Sequence, residues 1–230
     1  MQATHCAKRT ILPTQCITEF ELKQLLGEGA SGLIYRAQYQ NQQSKVSCDV
    51  AVKIFKGKVT SGDYPNDELK TCLNVGHHPN VVKTTSKIES ENQTGLVMEL
   101  IPQGFFNLGL PPTFKICTRD TFKKGFTLSA EQIQKIIHAI LDVLNHLYSK
   151  QLSHGNLSAH NILIDEANTL LSDFGVASPL HTLPKHQQQA LLNIEERALN
   201  YLIEDLTALQ KRYPPNTTQN RASTFKKPNH

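Results

Sequence analysis

The sequence predicts an α+β fold, with strands in its first half and helices in its second. Three observations carry this. Residues 19–26 and 33–39 alternate apolar and polar side chains on either side of one glycine cluster, the period of two that belongs to strands. Residues 129–150 repeat apolar side chains every three or four positions, as an amphipathic helix does. Residues 49–55, Asp-Val-Ala-Val-Lys-Ile-Phe, make a β-rich apolar segment. A chain of 230 residues has room for one good core, or for two small lobes sharing a cleft.

Bulk composition narrows the class. Apolar residues at 39% and charged residues at 19% are ordinary for a globular protein. Cys6, Cys16, Cys48, Cys72 and Cys117 are scattered, with no Cys-x-x-Cys pair. That pattern fits free thiols in a reducing compartment better than a disulfide framework or a zinc site. No apolar run is long enough to span a bilayer, and residues 1–20 lack a signal peptide's hydrophobic block, so a cytoplasmic location is expected. The net charge of +4 is concentrated at the end: residues 211–230 hold Lys211, Arg212, Arg221, Lys226 and Lys227 and no acid. With Pro214, Pro215 and Pro228, this basic stretch reads as a solvated tail; nothing else supports nucleic-acid binding.

The elements follow in chain order. Gly27-Glu28-Gly29-Ala30-Ser31-Gly32 fits either a dinucleotide fold or a phosphate-covering hairpin. A dinucleotide fold needs a helix next; here Leu33, Tyr35, Ala37 and Tyr39 share one face of a strand, so a strand–turn–strand hairpin is expected. Asp49, placed about where a ribose-binding acid would fall, speaks for the rival. Asp49-Val50-Ala51-Val52-Lys53-Ile54-Phe55 is a β-rich run with a single lysine. Asn66 to Leu73 put Leu69, Cys72 and Leu73 on a helical stripe, with Glu68 and Asp67 beside it. His77 and His78 then read as helix-end residues, since no Cys or acid cluster matches them as metal ligands. Gly95 to Pro102 is another apolar strand. In 129–150 the stripe is Ile133, Ile136, Ile137, Ile140, Leu141, Leu144 and Leu147, started by a capping box of Ser129 with Gln132. His154-Gly155-Asn156 follows directly, Asn161 comes five residues after Asn156, and Asp173-Phe174-Gly175 closes a short strand from Thr169.

In that order the motifs resemble those of the protein kinases, across about residues 19–210. The resemblance implies a bilobal protein-kinase-like fold: an N-terminal extension at 1–18 and an N-lobe at 19–101 made of an antiparallel β-sheet plus one helix. A reduced, mainly helical C-lobe at 102–212 and a basic tail at 213–230 complete it. ATP and Mg²⁺ are the implied cofactors. Gly27, Glu28, Gly29, Ala30, Ser31 and Gly32 would cover the phosphates, and Lys53, held charged by Glu68, would grip them. Ile34 and Ala51 would roof the adenine and Leu163 floor it. Met98 would stand behind it as gatekeeper, and the backbones of Glu99 and Ile101 would pair with its edge. Asn161 and Asp173 would hold the metal, and His154 would be a structural imidazole. Residues 191–210 resemble the buried central helix of the large lobe, with Glu195 at the position usually held by Asp. The short stretch from Gly175 to Glu195, without Ala-Pro-Glu, resembles the minimal eukaryotic-like kinases of bacteria.

One substitution sets the functional question. Kinases of this type carry His-Arg-Asp where this chain has His154, Gly155 and Asn156, so a carboxylate that accepts the substrate's proton becomes an amide that cannot. Lys53, Asp173 and Asn156 are the candidate catalytic residues. The resemblance implies transfer of the ATP γ-phosphate to Ser or Thr of a protein substrate at reduced rate. His-Gly-Asn also occurs in the pseudokinase domains of Janus kinases, which makes an inactive nucleotide-binding scaffold the alternative. A small-molecule phosphotransferase of the aminoglycoside kind is a second one, against which the glycine loop and Asp-Phe-Gly argue. His160 is a candidate substitute base.

Overall fold

The computed structural model describes residues 12–29, 31–40, 47–56, 71–72, 74–90, 93–113 and 118–210. Ala30, Asp67, Glu68, Leu69, Leu73, Cys6, Cys117 and the tail 213–230 lie outside the described residues.

The first half forms a six-stranded sheet in the order β1-β5-β6-β4-β3-β2. Its members are β1 (Thr14–Gln15), β2 (Phe20–Glu28), β3 (Gly32–Gln40), β4 (Ser47–Phe55), β5 (Thr84–Glu89) and β6 (Thr94–Glu99). The expected hairpin across the glycines is present: β2 and β3 run antiparallel from Phe20↔Tyr39 to Glu28↔Leu33. Strand alternation sorts β4 into two faces. Val50, Val52 and Ile54 join Phe20, Ala37, Ile88 and Val97 in a closed apolar cluster, which leaves Ala51 and Lys53 on the opposite face. The sheet is antiparallel except at one edge, where β1 pairs in parallel with β5. Thr14 and Gln15 therefore belong to the sheet, although they precede the expected lobe boundary at 19.

The second half is built around the helix Ala130–Ser149. Its capping box forms as expected, Ser129 Oγ accepting from Gln132 N at 3.1 Å and Gln132 Oε1 from Ser129 N at 2.9 Å. Ile133, Ile136, Ile140, Val143, Leu144 and Leu147 are buried in the large core. Full burial of each such side chain contributes about 1.5–3 kcal/mol. Leu141, expected in the stripe, is instead 36% exposed. Val143 takes its place, because the helix's inner arc turns toward 140, 143, 144 and 147.

Short strands β7 (Phe106–Asn107), β9 (Ile162–Ile164) and β10 (Thr169–Leu171) make a second sheet in the order β10-β9-β7, and β8 (Leu152–Ser153) pairs with β11 (Ser178–Pro179). The two halves are stitched at residues 78–82. Asn80 Nδ2 donates to Thr169 O at 2.9 Å, Leu171 N to Asn80 O at 2.7 Å and Val82 N to Leu171 O at 3.1 Å. His78 packs against His146 with ring centroids 4.9 Å apart and planes tilted by 44°.

The last described helix, Lys185–Ala208, starts ahead of residue 191. It was expected to be a buried central helix; only Glu195, Leu202 and Leu206 are buried along it. Ile194 and Tyr201 are 54% and 38% exposed, Arg119 lying over the Tyr201 ring without burying it. Among the described residues no helix is long and apolar enough to cross a membrane.

Candidate active site

A cleft of about 570 Å³ lies between the six-stranded sheet and the β9–β10 hairpin, within the size range of small-molecule sites. It gathers every described residue that the sequence nominated. The upper wall carries Gly27, Glu28, Gly29, Ser31, Gly32, Ile34, Ala51 and Lys53. Met98, Glu99 and Ile101 line the back, and Asn156, Asn161, Leu163 and Asp173 the lower wall. Ala30 and Glu68 are the two nominated residues outside the described set. Asp49 does not line the cleft; it pairs with Arg36 across β3 and β4, both side chains about two-fifths exposed.

Each element places its residue for a physical reason. A Cβ at Gly27 or Gly29 would meet nothing within 4 Å, so bare backbone faces open space there. At Gly32 a Cβ would stand 2.6 Å from Ile54 O, which makes glycine obligatory for the close β3–β4 approach. Lys53 sits between Ile34 and Leu96 in register, is 7% exposed, and places Nζ 3.9 Å from Asp173 Oδ1. Asp173 is one of two described non-glycine residues with positive φ, at 60°, a strained conformation that functional sites commonly hold.

The lower wall is a hydrogen-bonded loop. Asn161 Nδ2 donates to Asn156 O at 2.9 Å, which leaves Oδ1 as the atom available to a cation. His154 is fully buried, donates from Nε2 to Ser172 O at 3.1 Å and accepts from Asn156 N at Nδ1 at 3.3 Å. Its ring meets Phe174 edge-on at 5.0 Å. Burial holds its pKa below the ordinary imidazole value, so it stays neutral and structural. Glu195, 2% exposed, accepts at Oε1 from the amides of His154 at 2.7 Å and Gly155 at 3.0 Å. Burial and this carboxylate together raise the pKa of the neighbouring Tyr148 hydroxyl.

Gly155 has φ +78°, and a Cβ there would lie 2.8 Å from Val176 O. Gly155→Ala is expected to cost about 1–3 kcal/mol in urea unfolding, from the left-handed backbone and the contact together.

Several cleft residues had no nomination. Leu26 lies on the upper wall; its signal was its place before Gly27. Phe105 and Asn107 enter from the segment that carries β7, which has no periodic pattern to read. His160, weighed above as a base, lines the cleft, and its Nδ1 is buried with no hydrogen-bond partner among the described residues.

This arrangement suits a nucleotide and a divalent cation: an apolar slot at one end, a lysine, a carboxylate and an amide oxygen at the other. The family model described as the protein kinase domain matches residues 20–195, and the chain belongs to the protein kinase family. It is 27% identical over 167 residues to "Serine/threonine-protein kinase pakH" of Dictyostelium discoideum, covering 72% of this chain and 29% of that one. It is 24% identical over 174 residues to "Fibroblast growth factor receptor 1" of Xenopus laevis, covering 71% of this chain and 21% of that one. The chain thus spans less than a third of the length of these relatives.

Proposed function

We propose that the chain binds ATP with a divalent cation and transfers the γ-phosphoryl group to a protein Ser or Thr, slowly. The observation that supports this most is the 3.9 Å approach of Lys53 to Asp173 inside a cleft that also holds Asn161 and the glycine hairpin. Bound ATP would supply the phosphoryl group and its leaving ADP. Lys53 would hold the phosphates, Asp173 and Asn161 would hold Mg²⁺ and neutralise the charge that spreads over the transferring group, and Ile34, Ala51 and Leu163 would sandwich the base. In this reading the Ile101 N–H, which has no backbone acceptor among the described residues, would serve as the hinge donor, while the Glu99 amide is already given to Lys83 O at 2.9 Å. Asn156 would orient the acceptor hydroxyl by hydrogen bonding without taking its proton, which would pass to an oxygen of the transferred phosphoryl group or to solvent. One relative's name supports Ser/Thr specificity. The exposed Cys16 and Cys48 thiols support a reducing, cytoplasmic setting.

A second reading is favoured by Asn156 itself: a nucleotide-binding pseudokinase that acts as a scaffold or switch. Incubation with γ-labelled ATP, Mg²⁺ and a mixed protein acceptor separates the two. Label on Ser or Thr that vanishes with EDTA is expected. No label, with saturable Mg²⁺-dependent nucleotide binding, selects the pseudokinase; no saturable binding by folded protein removes both readings.

A further inference from the structure

We propose that Asp120 is a positioning residue for the turn that carries Asn161, anchored through Arg119 to the far end of the last helix. This rests on the reading of Asn161 as a cation ligand. The turn Ala159–Asn161 begins after Ser158, whose side chain makes no capping hydrogen bond. Its first amide, on the fully buried Ala159, would therefore be orphaned. Asp120, 39 residues earlier, supplies the acceptor: Oδ1 takes the Ala159 N–H at 2.9 Å. Residues 107 and 109 take two carbonyls of the turn. Gly109 N donates to Ala159 O at 2.9 Å and Asn107 Nδ2 to His160 O at 2.7 Å. A Cβ on Gly109 would stand 2.7 Å from the Ala159 Cβ, so the approach is as close as it can be.

Asp120 is itself held. Its N–H donates to Asp205 Oδ2 at 3.1 Å, and Arg119 Nε reaches both Asp205 oxygens at 3.1 and 3.2 Å. Arg119 also meets Glu204 at 3.1 Å and lies 4.8 Å over the Tyr201 ring. A bidentate guanidinium–carboxylate pair fixes direction as well as distance. The helix Lys185–Ala208 thus grips the loop twice: at its start through Glu195, and at the turn through Asp205, Arg119 and Asp120. Ten residues separate the grips, about 15 Å of helix. Asn161 is held directly by Asn156 O through its Nδ2 and, two positions back along the same turn, by the Asp120 bond to Ala159 N; losing partners that orient a ligand costs about 10–100-fold in metal affinity.

The test is fluorescent ATP-analogue binding to the full chain, with and without Mg²⁺, read as the gain in affinity that Mg²⁺ confers. Asp120→Ala is expected to cut that gain about tenfold or more while metal-free affinity stays within about twofold. Asp120→Asn, which keeps the Oδ1 acceptor, restores the gain, and Arg119→Ala gives an intermediate loss. An unchanged gain in Asp120→Ala overturns the proposal, as does equal weakening with and without metal, or an Asn variant no better than Ala. If Asp120→Ala does not fold, Arg119→Ala decides by the same ratio. Wild-type protein that binds the analogue with no Mg²⁺ gain overturns the ligand reading of Asn161 instead, and the positioning role with it.

Discussion

Asn156→Asp is expected to raise the rate of phosphoryl transfer by about 10²- to 10⁴-fold, measured as label moved from γ-labelled ATP at saturating nucleotide and Mg²⁺. In the proposed reaction the amide at 156 would stand where a proton acceptor is needed, its backbone fixed by His154 Nδ1 and by Asn161 Nδ2. Replacing NH₂ by O⁻ is nearly isosteric, so the loop should not move and nucleotide affinity should stay nearly constant. Phosphoryl transfer is carried mainly by positioning and charge neutralisation, which is why the wild type should retain a measurable rate. Asp173→Ala would remove the proposed cation ligand and a partner of Lys53 together and should abolish transfer. If Asn156→Asp gains nothing while Asp173→Ala loses everything, proton acceptance does not limit this chain and its low rate lies elsewhere.

Glu195→Ala is expected to lower stability by about 3–5 kcal/mol in urea unfolding at neutral pH. Two amides that share one carboxylate oxygen would be left without an acceptor in a region where His154 is fully buried. Glu195→Gln keeps an acceptor oxygen and should lose only the charge-assisted part, about 1–2 kcal/mol. Equal losses in the two variants would mean that packing at 195, and not the paired amides, holds the loop.

How much was legible in the sequence varied with the length scale of the cause. The glycine hairpin, the capped helix from Ala130 and the strand Thr169–Leu171 just before Asp173 depend on neighbours within a few residues, so pattern sufficed. Lys53, Met98, Asn161 and Asp173 were findable because they sit at fixed offsets inside those local motifs. Leu141 was misplaced because an apolar repeat defines a stripe but not its edges, and tertiary contacts chose Val143. The Asp120–Ala159 bond joins two loops 39 positions apart, with no periodicity in either. The exposure of Ile194 and Tyr201 depends on what lies over the helix, which its own sequence does not encode.

Gly155 has a consequence for descent. An asparagine codon becomes an aspartate codon by one base change, and the pocket at 156 would accept it. Arginine at 155 would first have to displace the Val176 carbonyl, 2.8 Å from where its Cβ must go. A lineage leaving this sequence can therefore gain a carboxylate at 156 in one step, while an arginine at 155 has to wait for the turn at Val176 to give way.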